Sequence, residues 1–167
     1  MYKRQVYNDL REQLAERRGA ISKRPSLDLG LELAKMIERV PLFASLDRPA
    51  VVELSKRLRA VVALPGEKII RVGGPPDSMY FIAAGEVTVQ LPNFQVTLKE
   101  GDFVGEMGLI SDSPRSADVV SDGYCHLLAL YRKDFRALLD KRPTVRAAIE
   151  AMAARRIAEN EGKAAAS

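Results

Sequence analysis

The stretch of this 167-residue chain best equipped for chemistry runs from Gly101 to Ala117. In it Gly105 and Gly108 bracket Glu106, and Pro114-Arg115-Ser116-Ala117 closes the loop. A short helix that starts at glycine presents free backbone N–H groups and a positive dipole end, which suits an anion. Arg115 adds a planar, permanently charged fork matched to phosphate oxygens. Glu106 would repel a phosphate but would accept hydrogen bonds from sugar hydroxyls. Carboxylate and guanidinium in one loop therefore point to a phosphorylated sugar. Elsewhere the chain offers no catalytic constellation. Its one histidine, His126, cannot build a metal cluster, and Cys125 beside it would face the other side of a strand.

Such a loop needs a scaffold, and the length allows one domain with appendages. The hydrophobic and charged fractions, 47% and 29%, are those of a globular protein. The net charge of +4 suits anionic ligands, lipid headgroups or nucleic acid without selecting among them. A single cysteine excludes a disulfide framework and indicates a reducing compartment. No run is apolar for the 18 or so residues that would span a membrane, and no secretory signal is present, so the sequence reads as soluble.

Helical periodicity opens the chain. Val6, Leu10 and Leu14 form a narrow stripe on a helix over 2–18, expected to dock that helix. Residues 1–5 resemble translated sequencing adapter, which would place the true protein's continuation upstream. A linker is expected over 19–25, a second helix over 27–40 and a third from Asp47 to Arg59, with Pro49 in its first turn. From Ala60 the texture changes to short strands punctuated by glycine and proline turns. They are expected at 61–64, 68–72, 78–83, 86–91, 95–98, 117–120 and 124–131, the pattern of a barrel or jelly roll. Val87, Val89 and Leu91 share one strand face, Thr88 and Gln90 the other. Helices return at 132–141 and from Pro143 to about Glu161, where Val145, Ile149, Met152 and Arg156 share a face; 162–167 reads as a frayed tail. The fold class is mainly β with flanking helices (α+β): an eight-stranded antiparallel roll with N-terminal helices, a short cassette helix and two C-terminal helices.

Gly105-Glu106-Met107-Gly108-Leu109 and Pro114-Arg115-Ser116-Ala117, set in this pattern, resemble the phosphate-binding cassette of cyclic-nucleotide-binding domains. The upstream Gly74-Pro75-Pro76-Asp77-Ser78-Met79-Tyr80-Phe81-Ile82 and Gly85-Glu86-Val87 also fit that family, and the domain is expected over 26–161. Val104 stands where many members carry an aromatic or another apolar residue, a change expected to have little consequence. The resemblance implies a cAMP or cGMP ligand and no cofactor or metal. Arg115 would pair with the cyclic phosphate, and Glu106 with the ribose 2′-hydroxyl. Backbone N–H groups of Gly105, Glu106, Ser116 and Ala117 would complete the cradle, with Met107 beside it. Ser116 could reach the phosphate or a guanine amino group, so both nucleotides stay open, with a lean to cAMP. Val89 and Val96 would wall the purine, and Arg156 would stack over the base from a lid helix.

Nothing in this pattern is enzymatic. The first functional expectation is a sensing domain attached to a bacterial cation/proton antiporter or a cyclic-nucleotide-gated cation channel, on the cytoplasmic side of the inner membrane. The partners would be the nucleotide and the transporter, with oligomerisation through the parent protein and no nucleic acid. The alternative is a stand-alone or transcription-factor-type receptor module without its DNA-binding part. A kinase regulatory subunit, with tandem cassettes, ranks lower.

Overall fold

The computed structural model describes residues 2–21, 31–44 and 46–166. Three helices, α1 (Tyr2–Arg18), α2 (Leu31–Glu38) and α3 (Arg48–Arg57), precede the strands. Residues 27–30, where the second helix was expected to begin, lie outside the described set. That helix ends two residues earlier than Val40, and Pro41–Phe43 follows as a single 3-10 turn. Asp47 caps α3 by accepting the Ala50 N–H at 2.9 Å.

The strands are β1 (Arg59–Ala63), β2 (Lys68–Ile70), β3 (Ser78–Ala84), β4 (Glu86–Gln90), β5 (Gln95–Lys99), β6 (Phe103–Val104), β7 (Asp118–Ser121) and β8 (Cys125–Tyr131). They form two antiparallel four-stranded sheets, ordered β1-β8-β3-β6 and β2-β7-β4-β5. Periodicity missed β6 because two residues carry no period. Between β6 and β7 sits α4 (Glu106–Ser111), and α5 (Arg132–Lys141) and α6 (Pro143–Ala166) complete the chain.

Two cores share the strand β3, which is buried nearly throughout. Tyr80 and Ile82 point into the roll with Val61, Val87, Val119 and Leu127. Met79, Phe81 and Ala83 point the other way, into a core built with Phe43, Phe103, Phe135 and Ile149. Strict alternation thus sends one apolar run into both cores. On β8 Cys125 is buried and His126 exposed, as alternation requires.

The two chain ends depart from the sequence pattern. On α1, Val6, Leu10 and Leu14 are 42%, 53% and 48% exposed, so the apolar stripe does not dock this helix. Its contact with the roll is polar instead: Arg11 Nη1 donates to Pro65 O at 2.9 Å and Arg18 Nη2 to Val62 O at 3.3 Å. The expected linker contributes Ile21, buried in the roll's core. At the other end α6 runs on to Ala166, through residues expected to fray.

Candidate functional site

The site begins where β6 delivers Phe103 and Val104 into the fold. Gly105 then turns the chain into α4 with a φ of 94°. A side chain there would be strained, and its Cβ would stand 3.0 Å from Arg115 Nη1 and 3.1 Å from Ser78 O. That closeness makes Gly105 the floor on which Arg115 lies.

Arg115 is only 7% exposed. Its Nη1 donates to Gly105 O at 2.8 Å, and its Nη2 to Ser78 O and, at 3.4 Å, to Asp77 Oδ1. Its main chain is paired too, with Gly73 N–H donating to Arg115 O at 2.8 Å and Arg115 N–H to Gly74 O at 3.1 Å. Burial pulls the guanidinium below its ordinary pKa, while Asp77 opposes the shift. An arginine remains a cation even so. The planar fork is thus set by fixed carbonyls on one side and keeps a positive charge in a poorly hydrated place. Nearby Tyr80 accepts from Ser78 Oγ at 3.0 Å, and burial pushes its hydroxyl up to about 12.

Glu106, the first residue of α4, is 1% exposed. Arg156, on α6, donates from Nη1 to Glu106 Oε1 at 2.8 Å. Its guanidinium also lies 4.6 Å from the centroid of the Phe103 ring. Arg156 therefore touches the cassette, where its charge is engaged by Glu106 and Phe103 and does not stand free over a purine. Farther along α6, Lys163 Nζ lies 5.9 Å from the ring of Phe94, in the β4–β5 turn. One helix thus spans from the cassette to the hairpin.

The other expected residues are placed as follows. Val89 and Val96 are direct cross-strand partners on β4 and β5, each half-buried. Met107 is half-buried, Ser116 exposed and Ala117 buried at the entry to β7. The structure joins Glu106 to Arg156, and Arg115 to Gly105. Sequence reasoning missed Asp77, the Ser78 carbonyl and Phe103 as supports. Only Asp77, standing before a strand in a glycine- and proline-rich turn, offered a signal.

A cavity of about 840 Å³ between α1 and the roll reaches Arg115, lined among others by Arg11, Ile70, Arg71, Asp77 and Tyr80. Among the described residues no group of histidine, cysteine and carboxylates could hold a metal ion.

An antiparallel roll of two four-stranded sheets, interrupted before β7 by a six-residue helix and an inward-facing arginine, defines a class of ligand-binding modules. Residues 60–142 match the family of cyclic nucleotide-binding domains, and this chain belongs to it. Over 111 residues the chain is 40% identical to a cyclic nucleotide-gated potassium channel of Rhizobium etli. The match takes in 66% of this chain and 31% of the channel. It is 36% identical over 124 residues to human potassium/sodium hyperpolarization-activated cyclic nucleotide-gated channel 4, covering 74% of this chain and 10% of that one. The crystal structure of the catabolite activator protein of Thermus thermophilus superposes with a TM-score of 0.64 at 29% identity, over 74% of this chain and 61% of that one. The chain spans a third or less of the channels it resembles.

Proposed function

We propose that this domain senses cAMP or cGMP and, through α6, controls a membrane ion channel or cation/proton antiporter to which it is attached. The observation that carries the reading is the contact of Arg156 with Glu106. The carboxylate placed to receive a ribose hydroxyl is already tied to the C-terminal helix. A carboxylate has two oxygens and about four acceptor positions. Glu106 can therefore hold Arg156 and a 2′-hydroxyl together, and a bound nucleotide would bias α6 toward its docked position. Arg115 would meet the cyclic phosphate, Val89 and Val96 the purine, and Ser116 one or the other. The domain binds its nucleotide without turning it over.

The similarity to channels supports the membrane attachment, and the site would then stand on the cytoplasmic side. Among the described residues no helix is long and apolar enough to cross a membrane. The likeness to the catabolite activator favours the second reading, a receptor module of a transcription factor.

Calorimetric titration of the chain with cAMP and with cGMP tests the binding claim. Saturable binding of either is expected; absence of both ends the proposal. Ion flux through the full-length protein in vesicles, with and without nucleotide, separates the transporter reading from the transcription-factor one.

A further inference from the structure

Arg132, the first residue of α5, ties together segments that no ligand contact explains. Its Nε and Nη2 donate to Pro76 O at 2.9 and 2.6 Å, and its own N–H donates to Asp77 O at 3.0 Å. Its Nη1 lies 2.6 Å from Asp112 Oδ1.

Both charges sit at the unfavourable end of their own helix. A cation opens α5 and an anion closes α4, each against the helix dipole. Asp112 is also the one non-glycine residue with positive φ among those described, at 53°. Aspartate tolerates that conformation better than most residues, but it still costs energy. Local helix stability therefore favours neither placement, whereas pairing across the gap accounts for both.

The carbonyl that Arg132 grips belongs to a loop that bears on the cassette at two points. Pro76 seats against Gly108 so closely that a Cβ at 108 would stand 2.8 Å from the proline's own Cβ. The same loop supplies Asp77, which holds the Arg115 guanidinium. One arginine thus anchors the strap beneath α4 and the far end of α4 itself.

We propose that Arg132 is a positioning residue: it fixes the span between Glu106 and Arg115, so that one cyclic nucleotide can engage both its ribose hydroxyl and its phosphate. The proposal rests on the functional reading above, and its test separates the two.

In the intact chain, cAMP should bind at least about tenfold more tightly than 2′-deoxy-cAMP, the worth of a hydrogen bond to a charged acceptor. In R132A, cAMP affinity should fall about fivefold, as expected for loss of a partly exposed ion pair and its supports, with the preference shrinking toward about twofold. R132K, which keeps the charge opposite Asp112 but loses the fork on Pro76, should recover part of the preference. A folded R132A that retains the full preference overturns the proposal, since general weakening would lower both affinities alike.

A ligand-free readout stands beside this one. Amide exchange over residues 106–112 should quicken about tenfold in R132A while β1 and β8 keep their rates. Equal rates over α4 overturn the proposal whether or not the wild type binds a nucleotide. If the wild type binds neither cAMP nor cGMP, the functional reading falls and exchange alone decides the role of Arg132. Should R132A fail to fold, D112N carries the same measurements, since it removes the charge, keeps a side chain tolerant of positive φ, and acts at a position that is 61% exposed.

Discussion

Replacing Arg115 by alanine separates two jobs that one side chain performs. Toward a ligand it offers a charge-assisted contact worth about 1.5–3 kcal/mol, so cyclic nucleotide affinity should fall about 10- to 150-fold. Toward the fold it satisfies the buried Ser78 O and the half-buried Gly105 O, and is itself 7% exposed. A buried acceptor left without a donor costs about 1–3 kcal/mol, partly offset because a desolvated cation is removed. A net destabilisation of about 1–3 kcal/mol would lower the melting temperature by about 3–10 °C in a domain of this size. R115K keeps the charge but has a compact head without the bidentate fork, so it should fall between wild type and R115A in both respects. Calorimetric titration well below the transition measures the first job, and thermal unfolding without nucleotide the second. A folded R115A that binds within about threefold of wild type would refute the assignment of this arginine to the phosphate, because the smallest contact of that kind is worth about tenfold.

Other perturbations probe the remaining contacts. E106Q and R156A, made singly and together, should show a coupling of about 1–2 kcal/mol in stability or in affinity; strict additivity would mean that the 2.8 Å contact carries nothing. S116A should weaken cGMP more than cAMP in parallel titrations, and an equal loss would remove the guanine contact. Tyr80 gives an alkaline signature. Its hydroxyl titrates near 12 in the folded chain against an ordinary value of 10, so its contribution is present below pH 10 and lost as pH rises toward 12. Each pKa unit is worth about 1.4 kcal/mol, so wild type should lose about 2–3 kcal/mol more than Y80F over that interval in denaturant titrations.

Much of the site was legible because glycine, carboxylate and arginine are read by chemistry at fixed spacing. The seven longer strands showed themselves through alternation and turn residues, whereas the burial of β3 on both faces emerged only with the fold. What stayed hidden has physical reasons. Phe103 and Val104 form too short a strand to display a period. The partners of Arg115 include two backbone carbonyls, which no residue type announces. On α1 the spacing of Val6, Leu10 and Leu14 reads as a docking stripe. Yet the contact is made by arginines reaching carbonyls of β1 and the β1–β2 turn, which periodicity of apolar residues cannot reveal. The pairing of Arg156 with Glu106 depends on how far α6 leans over the cassette, a tertiary quantity.

The helix α6 can also be taken as a lever. Arg142, just before it, leaves helical geometry with φ −131° and ψ 79°, which separates α6 from α5 at that residue. At the helical rise of about 1.5 Å per residue, Arg156 stands about 20 Å from Pro143 and Ala166 about 34 Å. A rotation that shifts the arginine by one ångström would therefore carry the far end by about 1.7 Å. Mechanical gain of this kind would turn a contact with a single hydroxyl into a larger displacement of the helix end, and shortening α6 beyond Arg156 would cut that stroke together with the Lys163–Phe94 contact.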